Sequence, residues 1–294
     1  MYPSIRTLGL LSISSLLVGC TASTLAERQA TCACGYKDST GAIWRESFVS
    51  DFTAGWQAEL QKNFRVSDWP EDHDGVPYGI QYTVANVYGY NDGLGMKTSA
   101  FPKGSTGRVK TAEIESLRND ILYGTFRIRA TVPQVPGVCF GFFTYQSETQ
   151  EADIEFLSSD AEYYRTVHLT NQPGLINGDT DPQASKTVVV TDGNNQVDFT
   201  AFNEHRLDWL KASTSYYYNG VKKQTVSKNS PSVASTLITN VWSDGGPLWT
   251  KGPPTQDAIA NIYYIKAYFN STSLSAAQFQ SKCAAAANKS PCPV

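Results

Sequence analysis

Apolar and polar residues alternate in short runs along most of the chain, and turn-forming residues separate these runs. Alternation with a period of two is typical of half-buried strands, because successive side chains of a strand point to opposite faces. The clearest hairpin signal is Asn219-Gly220 within residues 216–221. The alternation predicts strands over residues 79–88, 107–117, 123–131, 138–145, 152–157, 164–169, 187–190, 205–210, 215–218, 236–241 and 259–268.

Only one segment is predicted to be helical. Residues 274–287 are rich in alanine and lie outside the alternating pattern, so we expect a short helix packed at the edge of the fold. The chain has 294 residues, with 22 glycines, 14 prolines and a charged fraction of only 17%. It shows neither an internal repeat nor a long linker, and these properties together predict a single all-β sandwich.

The charge of the chain argues against two classes of partner. The formal net charge is −3, and no block of basic residues extends beyond the pair Lys222 and Lys223. Proteins that bind nucleic acid or anionic membrane surfaces carry a basic patch. Neither partner is therefore expected, and a monomer is the default.

The first residues have the order of a secretory leader. Arg6 precedes the mostly apolar residues 8–19, and small residues follow up to position 26. This order is typical of a signal peptide, and the apolar stretch is too short to span a membrane. We expect a signal peptide over residues 1–26 and a protein that is secreted, either extracellular or in the cell wall. The alternative is a bacterial lipoprotein in which Cys20 is lipidated.

Other residues fit a secreted protein. Asn270 and Asn288 stand in glycosylation sequons, although Pro291 makes the second a poor acceptor. Cys139, in VCFGFF, is predicted to be an inert buried thiol. Metal binding is disfavoured because none of the three histidines is near a cysteine pair.

Four further cysteines flank the domain, two near each end, and a secreted chain is expected to oxidise them. A bridge between Cys32 and Cys34 would be strained, because only one residue separates them. We therefore favour bridges from this pair to Cys283 and Cys292, which would join the two ends of the chain. A local Cys283–Cys292 bridge is the alternative.

One predicted strand carries an acid at every second position. In EADIEFLSS, the side chains of Glu151, Asp153 and Glu155 project to one face, and the apolar residues between them project to the other. Neighbouring like charges repel, so a fold usually avoids them unless a site uses carboxyl groups with separated pKa values. A solvated acidic stripe on an outer strand is the alternative for an isolated motif.

The spacing of the acids indicates a reaction class. The α-carbons of Glu151 and Glu155 should lie about 13 Å apart on a strand. If the strand curves inward and the side chains lean together, the carboxyl groups approach the roughly 5 to 5.5 Å used by retaining glycosidases. The spacing therefore favours double displacement over the wider, inverting arrangement.

Several sequence blocks then occur in a familiar order: YGTFRIRA, VCFGFFTY, EADIEF, NEHRLDW, YYYNG, NVWSDGGPLW and IYYIKAYF. In this order they resemble glycoside hydrolase family 16, over about residues 51–269, and the fungal-type secreted endo-β-glucanase and transglycosylase group in particular. The resemblance implies a curved jelly-roll sandwich of the concanavalin A-like lectin and glucanase type. It places the acidic strand in a concave cleft and so supplies the inward curvature.

The resemblance also implies roles for the acids. Glu151 would be the nucleophile that attacks the anomeric carbon, and Glu155 would be the general acid and base. Asp153 would hydrogen-bond the nucleophile. For these roles Glu155 should be protonated and Glu151 ionised, a division set by unequal surroundings.

Other residues are candidates for sugar binding, each with an ordinary structural alternative. His73 is expected to be exposed, and Glu113 and Glu115 are expected on the solvent face of a neighbouring strand. The candidate substrate-binding residues are Tyr145, His168, Asn171, Gln172, Trp242 and Trp249.

The sequence thus predicts an endo-β-1,3 or mixed β-1,3/1,4 glucanase with a polysaccharide substrate and no cofactor or metal. A cell-wall transglycosylase would use the same acids, and a non-catalytic, lectin-like protein is the alternative from another class. The predicted segments are a signal peptide (1–26), an amino-terminal extension (27–50), a catalytic domain (51–270) and a tail with a short helix and cysteines (271–294).

Overall fold

The computed structural model of the chain describes residues 32–294, so the predicted leader and Cys20 lie outside the described residues. Strands dominate it. In chain order they are β1 (Tyr36–Lys37), β2 (Ile43–Trp44), β3 (Glu46–Asp51), β4 (Phe64–Val66), β5 (Pro70–Glu71), β6 (Ile80–Tyr82), β7 (Val87–Tyr90), β8 (Gly93–Thr98), β9 (Val109–Ser116), β10 (Ile121–Thr131), β11 (Cys139–Ser147), β12 (Gln150–Leu157), β13 (Thr166–Asn171), β14 (Leu175–Ile176), β15 (Asp179–Thr180), β16 (Ser185–Val189), β17 (Asn203–Leu210), β18 (Ser213–Tyr218), β19 (Val221–Val226), β20 (Thr236–Trp242), β21 (Ala258–Ser271) and β22 (Cys292–Pro293).

Two large sheets form a sandwich. The eight-stranded sheet has the order β19-β18-β17-β10-β21-β8-β7, with β3 paired to β21. The nine-stranded sheet has the order β16-β13-β12-β11-β20-β9-β6-β5, with β4 paired to β9. Because strands distant in sequence are neighbours in both sheets, side chains from many parts of the chain meet on one sheet face.

The core lies between the sheets and takes alternate residues from each strand. On β12, Ile154 and Phe156 are buried in it. The ring of Phe156 lies 5.4 Å from that of Phe199 and 4.6 Å from that of His205, which comes from the opposite sheet. The acids of β12 therefore point away from the core. Burial lowers the pKa of His205 to about 3, so this core imidazole is neutral.

The described residues contain two α-helices, α1 (Trp56–Asn63) and α2 (Ala276–Ala285). Helix α2 is the predicted one, begins at a capping box of Ser275 and Gln278, and buries none of its residues. Helix α1 was not predicted, because its sequence offers only Trp56 and Leu60 as an apolar pair one turn apart.

The strand prediction needs correction at several positions. The predicted strand 79–88 is interrupted by a 3-10 turn over Val84–Asn86, so β6 and β7 belong to different sheets. Strand β8 was missed because its glycines resemble a turn. Strand β3 was assigned to an amino-terminal extension, yet it pairs with β21 and is part of the sandwich.

Both ends of the described chain meet in a small three-stranded sheet, β2-β1-β22, in which β1 and β22 run parallel. We call residues 32–44 and 272–294 the terminal cap. Disulfides join Cys32 to Cys292 and Cys34 to Cys283, so the structure has the bridges between the two ends and not the local alternative.

The terminal cap lies against the eight-stranded sheet. Asp38 of the cap is buried 3.7 Å from Arg206 of β17, whose guanidinium also pairs with Asp208 at 2.6 Å. Arg206 alternates with the core residues His205 and Leu207 and so points to the outer face of that sheet. The cap therefore covers the side of the sandwich away from the nine-stranded sheet.

Two further observations concern the surface. Asn288 is exposed, whereas Asn270 lies on β21 and is half-buried. Among the described residues, none of the helices has the length and apolar character needed to cross a membrane.

Candidate active site

An open cleft of about 330 Å³ lies on the face of the nine-stranded sheet that points away from the core. Strand β12 contributes its three acids, Glu151, Asp153 and Glu155, which line this cleft together. The intervening Ala152 and Ile154 are fully buried on the opposite face. The alternation of β12 thus separates a core face from a row of carboxyl groups.

Asp153 links two neighbours within this row. It is 2% exposed, and Gln172 Nε2 donates a hydrogen bond to its Oδ2 at 3.3 Å. A hydrogen bond between Asp153 and Glu151 raises the pKa of Asp153 and lowers that of Glu151. These opposite directions favour Asp153 as the donor and Glu151 as the acceptor of this hydrogen bond.

Glu155 has a different set of neighbours. The Sγ of Cys139 on β11 lies 3.2 Å from its Oε1, and the side chain of Trp249 lies near enough to the same carboxyl group to lower its pKa. His168 on β13 is its direct cross-strand partner. His168 in turn bonds Asp160 through Nε2 at 2.8 Å and packs its ring 5.1 Å from that of Trp249. Cys139 was predicted to be inert, but it touches a cleft acid.

The pKa values of all three acids are raised in the cleft. Burial is the main cause for each, and it raises the pKa of Glu151 to about 8, with a further contribution from the charge of Glu155. The expected division, with only Glu155 raised, is therefore not seen. The surroundings do differ, however, because Cys139, His168 and Trp249 each favour the ionised form of Glu155.

A second group of acids lines the cleft, and its position corrects a prediction. Glu113 and Glu115 on β9 were expected to face solvent, but they are only 6% and 7% exposed. Both accept hydrogen bonds from Ser67, and Arg65 donates to Glu115 at 2.6 Å. Burial raises the pKa of Glu113 to about 7. The sequence shows that these two acids lie at alternate positions. It does not show that the order of strands in the sheet places β9 on the same cleft face as β12.

His73 was predicted to be exposed, yet it joins the cleft wall. Its Nδ1 lies 3.0 Å from Asp244, its Nε2 lies 3.6 Å from Glu71, and its ring packs against Trp242 at 5.3 Å. Hydrogen bonds to these two carboxylates raise the pKa of His73 to about 10. The imidazolium is thus a positive charge in a cleft lined by seven carboxyl groups.

The other predicted sugar-binding residues divide into two groups. Tyr145 and Trp242 line the cleft, and Gln172, His168 and Trp249 contact its acids as described above. Asn171 does not, and that prediction needs correction: it is fully buried, donates to Lys228 O at 2.9 Å and accepts from Thr214 Oγ1 at 2.7 Å. These bonds to segments of the other sheet make it a structural residue.

Sequence reasoning missed several lining residues. Trp69 is 40% exposed, and its ring meets that of Tyr82 edge-on at 6.0 Å. Asn240 on β20 donates to Glu113 at 3.3 Å. The DWP context of Trp69 and the single amide of Asn240 carry no pattern that distinguishes them from loop and core residues. Among the described residues, no group of three or more potential metal ligands is close enough to hold an ion.

A carboxyl pair on the floor of an open cleft, with aromatic side chains in its walls, is the site architecture of a glycoside hydrolase. Comparison with known proteins agrees. Residues 77–264, more than half of the chain, match the sequence model of glycosyl hydrolases family 16. The chain belongs to this family, as its motif blocks predicted.

Relatives and solved structures are similar to most of the chain. A β-glucanase of Paenibacillus polymyxa is 25% identical over 222 residues, covering 70% of this chain and 84% of that protein. A β-glucanase of Paenibacillus macerans is 27% identical over 199 residues, covering 62% and 74%. The structure of Bacillus licheniformis β-glucanase superposes with a TM-score of 0.59 at 19% identity, over 76% of this chain and 97% of that one. This likeness confirms the predicted curved jelly-roll fold.

Proposed function

We propose that this protein is a secreted, retaining glycosidase that cleaves internal β-1,3 or mixed β-1,3/1,4 linkages of a β-glucan. The arrangement of Glu151, Asp153 and Glu155 on one strand of an open cleft carries the proposal. An open cleft admits the middle of a polymer, which suits internal cleavage. The β-glucan substrate is supported by the β-glucanases similar to this chain.

In the first step, the Glu151 carboxylate attacks the anomeric carbon as the bond from that carbon to the glycosidic oxygen breaks. The proton of Glu155 passes to the departing oxygen. In the second step, Glu155 takes a proton from water, the water oxygen bonds to the anomeric carbon, and Glu151 is released. In this proposal, a proton on Asp153 stabilises the free carboxylate of Glu151 before and after the cycle.

We propose that the catalytic unit extends from β3 to β21, because both are strands of the sandwich. The predicted domain boundary at residue 51 therefore moves to Glu46. Residues 1–26 act as the leader in this proposal, and the two disulfides of the terminal cap fit an oxidising, secretory route.

The test is mass spectrometry of products from laminarin, barley β-glucan and defined β-1,3 and β-1,4 oligosaccharides. Glu151→Gln should abolish turnover, whereas Glu204→Gln, which changes a carboxyl on the outer face of the eight-stranded sheet, should retain it. Proton NMR of the first product should show the β-anomer, because double displacement retains configuration.

Three outcomes would change the assignment. Products longer than the starting oligosaccharide would identify a transglycosylase. An α-anomer as the first product would contradict the roles of Glu151 and Glu155. Sugar binding without turnover, unaffected by Glu151→Gln, would leave a lectin-like protein.

A further inference from the structure

Glu155 stands opposite a glycine on one side. Gly141 of β11 is its direct cross-strand partner, and His168 of β13 is its partner on the other side. Since a glycine offers no side chain, Glu155 receives no lateral support from the residue directly opposite on β11. The support comes instead from Cys139, two residues along β11 and on the same face, which is within reach of a diagonal neighbour.

Cys139 is suited to act as a hydrogen-bond donor. Its side chain is fully buried, and its Sγ lies 3.2 Å from Oε1 of Glu155. Burial, and then the charge of Glu155, raise the pKa of the thiol well above its usual value. The group therefore keeps its proton over the working range of the enzyme, and an S–H facing a carboxyl oxygen donates to it.

A donor fixed at one oxygen distinguishes the two oxygens of the acid. Oε1 accepts from the thiol whether Glu155 is ionised or protonated. When Glu155 is protonated, its own proton is then carried by the other oxygen. We propose that Cys139 is a positioning residue of the reaction: it holds Oε1 of Glu155 as an acceptor, so that the second oxygen carries the proton exchanged with the glycosidic oxygen and with water. The inference rests on the proposed role of Glu155.

The groups around Glu155 determine in which direction its pKa changes when the thiol is replaced. Facing Glu155 are Glu151 and Asp153 on its own strand, Cys139 on β11, His168 on β13 and Trp249 in the loop after β20. Asp160 bonds His168, and Lys251 Nζ lies 3.6 Å from Asp160. Of these, the thiol is the group that a near-isosteric substitution can remove without altering a formal charge. Losing its donor should raise the pKa of Glu155, and a stronger donor should lower it.

The experiment compares Cys139→Val, which keeps the volume and removes the donor, with Cys139→Ser, which supplies a stronger one. Glu155 must be protonated for the first step, so its pKa sets the basic limb of the pH profile of kcat/KM. We expect the limb to move up by about one pH unit in the valine variant and down in the serine variant. The Glu155 carboxyl titration, followed by 13C NMR against Glu155→Gln, should shift in the same order.

Val138→Ala is the matched control. Val138 directly precedes β11, is fully buried, and packs in the core instead of the cleft. It should reduce stability and leave the basic limb in place. If Cys139→Val fails to fold, Cys139→Ala provides the variant without a donor.

The outcomes separate the two proposals. The role of Cys139 would be overturned if the basic limb of the pH profile and the carboxyl titration of Glu155 were the same in Cys139→Val, Cys139→Ser and the unaltered protein. Retained activity in Glu155→Gln would instead overturn the proposed function. In that case the carboxyl titration alone would still report whether the thiol donates to Glu155.

Discussion

The two disulfides of the terminal cap should stabilise the fold in a strongly non-additive way. Cys32–Cys292 spans 260 residues and Cys34–Cys283 spans 249, so the second loop lies inside the first. Either bridge alone holds the two ends of the unfolded chain together. The other bridge then closes only the short ring by which the two loops differ, which is 260 minus 249, or 11 residues.

The chain-entropy relation converts these lengths into free energies. Closing a loop of about 250 residues removes unfolded-state entropy worth about 5.5 kcal/mol at 25 °C, and closing a ring of about 11 residues removes about 2.8 kcal/mol. Removing either bridge with paired Cys→Ser substitutions should therefore cost about 3 kcal/mol. Removing both should cost about 8 kcal/mol, well above the sum of the two single losses.

The assay is equilibrium unfolding in guanidinium chloride for four proteins: the unaltered chain, C32S/C292S, C34S/C283S and the variant with all four changes. Far-UV circular dichroism and tryptophan fluorescence should give coincident transitions. The reasoning would be refuted if the fourfold variant lost only the sum of the two single losses. It would also be refuted if one bridge alone accounted for nearly all of the loss.

Three further predictions concern the core and the cleft. His205→Leu should make stability less sensitive to acid, because the folded pKa of His205, about 3, lies below its unfolded value of 6.5. Between pH 7 and pH 4 the unaltered protein should lose about 3 kcal/mol more free energy of unfolding than the variant, as measured by urea unfolding at each pH. Equal losses in the two proteins would contradict this. His73→Gln should reduce the fall in melting temperature between pH 7 and pH 10. The raised pKa of His73 contributes stability that is fully present below pH 6.5 and is lost as the pH rises through about 10. The same fall in both proteins would show that the carboxylate partners of His73 do not stabilise the fold. On β12, Ile154→Ala should lower the free energy of unfolding by roughly 2–5 kcal/mol, because it leaves a cavity in the core. Glu151→Gln should instead raise the melting temperature, because it removes one of three buried acids that repel one another. If both variants were destabilised, repulsion between the acids would be ruled out.

Alternation along the chain was sufficient to predict most of the sandwich. On β12 the period of two placed Ile154 in the core and Glu155 in the cleft, because both faces of that strand have a clear character. It failed at β8, where Gly93 and Gly95 allow close packing against Tyr90 and Asn261 but resemble a turn in the sequence. The local sequence does not show which glycines allow close packing and which ones form a turn.

The candidate site was predictable only in part, for a topological reason. Glu151, Asp153 and Glu155 share one strand, so their proximity follows from backbone geometry alone. Glu113 and His73 reach the same cleft only because β9 and the loop after β5 are brought there by the order of strands in the sheet. Hydrogen-bonded partners far apart in sequence, such as His73 and Asp244, leave no signal in a single sequence.

The parallel pairing of β1 with β22 makes the described chain almost a ring. Tyr36 lies opposite Cys292, so a short peptide linker could join the two ends, and new ends could be opened at an exposed hairpin such as Asn219-Gly220. Such a circular permutant would keep every strand neighbour of the sandwich. Since both ends of residues 32–294 lie on the side opposite the cleft, the same geometry would let this part of the chain be attached to a solid support by either end with its cleft facing outward.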